Sequence, residues 1–198
     1  MNPMFYFLLA LAAVLAATAN AGKPILDSNG YRVVANASYY ARPLVSYFEL
    51  DGGGLTLNTF GVNICPFYVG KEKGVFEDGI PVKFSDWKSG DGFVPESENL
   101  NIEMDVKDTL CFEPTYWRIS TAPVVPVRLL IKTGPKPSSG LFQIRKSEYI
   151  PARYQFFFCP DGYDCTKVGL FVDNQGLWRL ALNATTIFEV GFKRVRKT

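Results

Sequence analysis

The residues of this chain that could carry chemistry are four cysteines and scattered carboxylates, since its 198 residues include no histidine. A chain without histidine cannot build a Ser/His/Asp or Cys/His triad, an imidazole general base or a histidine-ligated zinc site. The cysteines, Cys65, Cys111, Cys159 and Cys165, also lack the close pairs that a four-thiolate zinc site needs. We therefore expect no metal site and no cofactor.

Glu77 and Asp78 are adjacent carboxylates that could in principle act as an acid/base pair. Such a pair works when an apolar pocket separates the two pKa values. Adjacent acids on a loop have no such pocket, so we interpret them as solvated charges. An enzyme, such as a glycosidase, is therefore disfavoured.

The amino-terminal segment 1–21 predicts a cleaved signal peptide. Phe5 to Ala17 is an apolar run too short to span a bilayer, and Ala19-Asn20-Ala21 supplies the small residues of a cleavage site. The mature chain, residues 22–198, then forms one domain and contains no other run that could cross a membrane. We expect a secreted, extracellular or apoplastic protein, with the vacuole and the endoplasmic reticulum as alternative locations.

Secretion changes the interpretation of the cysteines, because an even number in an oxidising compartment predicts disulfides. Cys159 and Cys165 enclose a short polar turn that suits a local bridge, which leaves Cys65 to pair with Cys111. Secretion also makes two sequons meaningful, Asn36-Ala37-Ser38 and Asn183-Ala184-Thr185, as candidate glycosylation sites.

The apolar pattern of the mature chain is short and alternating, with turn residues between runs, and predicts an all-β fold of about twelve strands, of which the first is Tyr31–Val34. Three segments that place aromatic bulk beside an arginine repeat along the chain, starting at Tyr39, Tyr116 and Leu177. Three four-stranded units would close into a barrel with pseudo-threefold symmetry. A net charge of +2 is too small to indicate a nucleic-acid partner.

Several motifs together resemble the plant Kunitz-type (soybean trypsin inhibitor) family, in particular its miraculin-like branch. The motifs are Pro24-Ile25-Leu26-Asp27-Ser28-Asn29-Gly30-Tyr31-Arg32-Val33, Ser38-Tyr39-Tyr40, Gly52-Gly53-Gly54-Leu55, Cys65-Pro66, Gly79-Ile80-Pro81-Val82-Lys83-Phe84, Val94-Pro95-Glu96-Ser97, Leu100-Asn101-Ile102, Phe158-Cys159-Pro160 and Arg179-Leu180-Ala181-Leu182. The resemblance covers the mature chain and implies a β-trefoil of about twelve strands with the same two disulfides.

The resemblance also implies a function, a plant defence-type protease inhibitor that acts as a monomer. In this family an exposed loop between the fourth and fifth strands enters the protease cleft like a substrate, and we match that loop to Gly74–Lys83. We expect the contact to centre on Glu77, Asp78, Gly79, Ile80 and Pro81.

The matched loop departs from the trypsin inhibitors of the family. It is acidic and has no basic tip, and Ala35 stands at the position of the asparagine that braces the loop in strong inhibitors. We therefore expect weak inhibition of trypsin, and stronger inhibition of a serine protease with an apolar pocket or of a papain-like cysteine protease. The alternative is a non-inhibitory storage or binding protein.

Overall fold

The computed structural model describes residues 22–43, 53–90, 92–122, 127–148, 150, 152–161 and 164–196. The expected signal peptide lies outside these ranges. The strands of the described residues are β1 (Tyr39–Arg42), β2 (Leu55–Phe60), β3 (Asn63–Lys71), β4 (Val82–Ser85), β5 (Asn101–Met104), β6 (Tyr116–Ala122), β7 (Arg128–Gly134), β8 (Phe142–Lys146), β9 (Tyr154–Phe158), β10 (Thr166–Val172), β11 (Trp178–Leu182), β12 (Thr186–Ile187) and β13 (Glu189–Arg194). No helix occurs in these ranges, which confirms the all-β prediction.

Six strands form a closed ring. β1 pairs with β4 and β13, β4 with β5, and β9 with β8 and β13, all antiparallel. The ring closes between β5 and β8, where Leu100 and Phe142 form a bridge. This bridge joins the two ends of the set, so that β5 and β8 are neighbours in the ring.

Three hairpins stand on the ring: β2 with β3, β6 with β7, and β10 with β11. Their second members pair with one another, β3 with β7, β7 with β11, and β11 with β3. The short strand β12 adds to β10. Each third of the chain therefore contributes two ring strands and one hairpin.

The core lies inside the ring and under the hairpins, and aromatic side chains dominate its centre. The ring of Trp117 meets Phe142 and Phe156 edge to face, at centroid distances of 5.5 and 5.1 Å. Phe192 meets Phe84 in the same way, at 5.5 Å. Alternation explains the inward faces, because β1 and β4 each bury every second side chain.

One predicted strand, Tyr31–Val34, is absent from the strand set. Its residues form only isolated bridges, Arg32 with Leu26 and Val34 with Phe93. Tyr31 and Arg32 are both exposed while Val33 is buried, so burial does not alternate along this segment, and no neighbouring strand continues the pairing. The first full strand is therefore β1, and β1 to β11 are each counted one place earlier than the sequence predicts. The predicted last strand, Ile187–Lys193, is divided between β12 and β13.

No helix long and apolar enough to cross a membrane occurs in the ranges given above.

Candidate functional site

The loop that the sequence matched to a protease contact connects β3 to β4. It runs from Glu72 to Pro81, between the third and fourth strands of the structure. Its predicted place between the fourth and fifth strands was wrong, because Tyr31–Val34 had been counted as a strand. Lys83 lies in β4, as the sequence predicted.

The five residues that we expected to contact the protease differ in exposure and in their partners. Glu77 is exposed, whereas the side chain of Ile80 packs against the core. Asp78 forms ion pairs with Arg42 and Lys193, at 2.5 and 2.8 Å. The residue before them, Phe76, is 90% exposed.

Backbone hydrogen bonds hold this loop against the start of β2. The Gly54 amide donates to the Glu77 carbonyl at 2.9 Å, and the Ile80 amide donates to the Leu55 carbonyl at 2.6 Å. Gly79 between them has a φ of +74°, in the left-handed region that favours glycine. The segment Glu77 to Ile80 is therefore fixed on the body of the protein.

The two cations around Asp78 also set its protonation. A hydrogen bond from Lys193 is the largest cause that lowers the pKa of Asp78, with further lowering by Arg42, against a smaller rise from burial. The carboxylate is therefore charged at neutral pH and keeps both ion pairs.

The segment between β4 and β5 runs from residue 86 to residue 100, and it carries a second exposed loop. Asp86 has a φ of +67° and accepts a hydrogen bond from the buried Asn101 at 2.9 Å. Lys136 forms an ion pair with the same carboxylate at 2.9 Å. Trp87 follows and packs against the core.

Lys88 is an exposed lysine in this second loop. It lies with Ser89 in a turn, and it has no hydrogen-bond or ion-pair partner within the described part of the chain. The Ser89 amide donates to Glu98 at 3.1 Å. Lys88 therefore stands between fixed neighbours, with its ammonium group in solvent.

The other lysines near the two loops are less available. Lys71 is buried and lies over the Trp178 ring at 5.3 Å from its centroid. Lys83 forms an ion pair with Asp105 at 2.5 Å. Lys73, in the β3–β4 loop, is exposed.

Sequence reasoning missed Lys88 and Phe76 as candidate contact residues. The signal for Lys88 was a lysine in a polar, glycine-containing segment between two adjacent predicted strands. It was not used because the strand count pointed to the preceding loop. Phe76 was an isolated aromatic residue beside two acids, a pattern that does not separate a buried ring from an exposed one.

The predicted disulfides are both present, Cys65 with Cys111 and Cys159 with Cys165. The predicted sequon residues Asn36 and Asn183 lie in exposed turns, with φ of 57° and 51°. The described residues contain no group of three or more potential ligands that could hold a metal ion.

Comparisons with known proteins identify the family of the chain. A profile described as "Trypsin and protease inhibitor", that of the legume Kunitz proteins, matches residues 25–194. The chain belongs to the plant Kunitz inhibitor family. Members of this family are protease inhibitors and not enzymes.

A relative from Arabidopsis thaliana, Kunitz trypsin inhibitor 4, is 40% identical, with 100% of this chain and 94% of the relative covered. Among solved structures, a complex of porcine pancreatic trypsin with soybean trypsin inhibitor gives a TM-score of 0.72 at 20% identity, covering 88% of this chain and 100% of that one. A water-soluble chlorophyll protein from Brassica oleracea gives 0.73 at 21%, covering 88% and 99%. These two structures show a shared fold.

Proposed function

We propose that this Kunitz-family chain is a secreted inhibitor of serine proteases and that its β4–β5 loop enters the protease cleft. Lys88 would fill the primary pocket of a trypsin-like enzyme, and the Lys88–Ser89 bond would lie at the catalytic centre. The observation that carries this proposal is an exposed lysine that has no side-chain partner among the described residues. It lies between anchored residues in the strand interval that the family uses.

The anchors support a substrate-like mechanism. Asp86, two residues before Lys88, is tied to Asn101 and Lys136. The nitrogen of the Lys88–Ser89 bond is the Ser89 amide, which donates a hydrogen bond to the Glu98 carboxylate. A loop that is already ordered loses little conformational entropy on binding, so more of the contact energy remains as affinity.

This assignment changes the specificity expected from the sequence. The β3–β4 loop, with Glu77 to Pro81 as its centre, would give weak inhibition of trypsin because it offers no cation. Lys88 supplies that cation, so we propose tight inhibition of trypsin instead. For the loop around Glu77 to Pro81 we propose a different target, a protease with an apolar primary pocket.

Fold symmetry and secretion belong to the same proposal. We infer a β-trefoil, supported by the three repeated sets of two ring strands and one hairpin.

We further propose that cleavage after Ala21 leaves Gly22 as the mature amino terminus, and that Asn36 and Asn183 carry glycans on a monomeric extracellular protein. Amino-terminal sequencing and glycosidase treatment of the secreted protein test these points, and an uncleaved terminus or an unchanged mass would contradict them.

Steady-state inhibition of trypsin tests the function. We expect the disulfide-bonded protein to give a nanomolar constant, and Lys88→Ala to raise it by about 100- to 10,000-fold. Truncation of Lys88 leaves the buried carboxylate in the primary pocket of trypsin without a cationic partner, which costs about 3–5 kcal/mol. About 1.4 kcal/mol corresponds to a tenfold change in affinity.

The matched control is Lys73→Ala, which removes the exposed lysine of the other loop and should leave trypsin inhibition unchanged. A micromolar constant for the unaltered protein, or an unchanged constant for Lys88→Ala, would overturn the role of Lys88. Absence of inhibition of trypsin, chymotrypsin, subtilisin and papain alike would favour the storage or binding alternative.

A further inference from the structure

We propose that the β3–β4 loop is a second protease-binding site, separate from the Lys88 loop. Its target would be a serine protease with a deep apolar primary pocket, as in chymotrypsin-like enzymes. Phe76 would fill that pocket and the Phe76–Glu77 bond would lie at the catalytic centre. The proposal does not depend on Lys88.

The exposure of Phe76 is the first observation behind this site. Its side chain is 90% exposed although the loop on either side is attached to the protein. A phenylalanine that stays in water forgoes the favourable free energy that burial of its ring would give. A protease pocket lined by apolar side chains would recover that free energy on binding.

Arg42 supplies the second observation, because its guanidinium spans the bond that would be presented. Nη2 donates to the carbonyl of Val75 at 3.2 Å, and Nη1 donates to Oδ1 of Asp78 at 2.5 Å. Val75 precedes Phe76 and Asp78 follows Glu77. One side chain from β1 therefore contacts the chain on both sides of the Phe76–Glu77 bond.

Further contacts hold the carboxyl-terminal side of that bond. Lys193 from β13 donates to the other oxygen of Asp78 at 2.8 Å, and the Gly54 amide holds the Glu77 carbonyl at 2.9 Å. If the protease hydrolyses the bond, water adds to give a carboxylate at Phe76 and an amine at Glu77. Both new ends would stay in place because each side remains tied to Arg42.

The two loops leave β4 at opposite ends. The β3–β4 loop ends at Pro81, just before β4, and the Lys88 loop begins at Asp86, just after it. A strand of four residues separates its ends by about 10 Å. The sites therefore share a supporting strand but present different residues from different ends of it.

Inhibition of chymotrypsin measured beside trypsin separates the two sites. We expect Phe76→Ala to raise the chymotrypsin constant at least 100-fold and to leave the trypsin constant unchanged. Lys88→Ala should do the reverse. Because both side chains are exposed, neither substitution should disturb the core. Unchanged melting temperatures of the two variants would exclude misfolding.

A gain of function gives a stricter test. Placing a cation on the second loop, by Phe76→Lys in the Lys88→Ala background, should restore inhibition of trypsin. Failure of the unaltered protein to inhibit chymotrypsin, an unchanged constant in Phe76→Ala, or loss of chymotrypsin inhibition in Lys88→Ala would each overturn the second site. None of these results bears on trypsin inhibition by Lys88.

Arg42 is a positioning residue in this proposal, and its removal has a signature of its own. Arg42→Ala should weaken inhibition of chymotrypsin at least tenfold, leave trypsin inhibition unchanged, and make inhibition temporary as the loop is cut at Phe76–Glu77 and released. Arg194→Ala, an exposed arginine at the end of β13, is the matched control. Permanent inhibition by Arg42→Ala at the unaltered constant would exclude the clamp.

Discussion

At the residue scale, Arg179 is the most deeply buried charged side chain among the described residues. It is fully buried, and its Nε donates to Oδ2 of Asp173 at 2.6 Å. Nη2 donates to the Thr59 carbonyl at 2.8 Å, and the guanidinium lies 4.9 Å from the centroid of the Phe60 ring. One residue of β11 thereby joins two hairpins.

Asp173 is fixed by the same arrangement. Its Oδ1 accepts the amides of Gln175 and Leu177, both at 2.9 Å, so the carboxylate also shapes the β10–β11 turn. Burial acts to raise the pKa of Asp173, but the Leu177 amide and Arg179 outweigh it and the pKa is lowered. The charged form is therefore the one that the fold stabilises.

The substitution Asp173→Asn tests how the ion pair between Asp173 and Arg179 contributes to stability at different pH values. Because the pKa of Asp173 is lower in the folded chain than its unfolded value of about 3.9, its stabilisation is complete above that value and is lost as the pH falls through the folded pKa. We expect Asp173→Asn to cost about 3–5 kcal/mol at pH 7, since it leaves a buried charge without its counter-ion.

Urea unfolding between pH 7 and pH 2.5 measures the effect. The difference between the unaltered protein and Asp173→Asn should shrink as the pH falls. Lys136→Ala removes a solvent-exposed pair and should cost about 1 kcal/mol or less, which makes it the control. A difference that does not depend on pH would mean that the carboxylate charge is not what stabilises the turn.

Some of these residue-level features could be read from the sequence and others could not. The cysteine pairing was predictable because the short interval between Cys159 and Cys165 favours a local bridge. The exposure of Phe76 was not, because an aromatic residue beside Glu77 and Asp78 is compatible with either face of a loop. Arg179 was recognised only as part of a motif, since its partners Asp173 and Thr59 meet it through tertiary folding.

At the element scale, the β3–β4 loop is placed by close contact between two backbones. Gly54 and Gly79 make that contact possible. A Cβ atom on Gly54 would lie 1.9 Å from the Asp78 carbonyl oxygen, and one on Gly79 would lie 2.3 Å from that of Leu55. Neither neighbour can yield without moving the loop.

The motif Gly52-Gly53-Gly54-Leu55 was visible in the sequence, but the sequence could not show what lies against Gly54. The close approach of Gly54 to Asp78 joins residues far apart in the chain, and no local pattern encodes it. The same limit explains the miscounted strand. Tyr31–Val34 has the sequence pattern of a strand, but a strand also needs a continuous partner, and only tertiary structure shows that Leu26 and Phe93 provide single bridges.

Gly54→Ala should therefore displace the loop while the core remains. We expect chymotrypsin inhibition to fall at least tenfold, trypsin inhibition to stay unchanged, and unfolding free energy to drop by about 1–3 kcal/mol, in the range of an overpacked site. Gly92→Ala meets nothing within 4 Å and is the control for stability and for chymotrypsin. Equal effects of Gly54→Ala on both proteases would show that the loops are not independent.

At the scale of the whole molecule, the ring of six strands carries two loops with different tips, one cationic and one aromatic. Each loop is held by contacts to the ring or to a hairpin, so a change in one tip need not disturb the other. The fold class and the two disulfides followed from sequence pattern and resemblance. The presence of two candidate protease-binding loops could not be predicted from the sequence, because it depends on the strand ends at which the loops lie.

The two disulfides hold the molecule together to different extents, because they close loops of different length. Cys65 and Cys111 are 46 residues apart, whereas Cys159 and Cys165 are 6 apart. In the chain-entropy account the longer loop contributes about 4 kcal/mol and the shorter about 2.5 kcal/mol, through the unfolded state. Cys65 is also exposed while Cys159 is buried, so packing would work in the opposite direction.

Urea unfolding of the double variants Cys65→Ala/Cys111→Ala and Cys159→Ala/Cys165→Ala separates the two effects. We expect the first to lose about 4 kcal/mol, and more than the second, if closure of the long loop dominates. Trypsin inhibition measured well below each melting temperature should persist in both variants, because neither bridge lies in the Lys88 loop. A larger loss from the short bridge would show that packing around Cys159, and not loop closure, is its main contribution to stability.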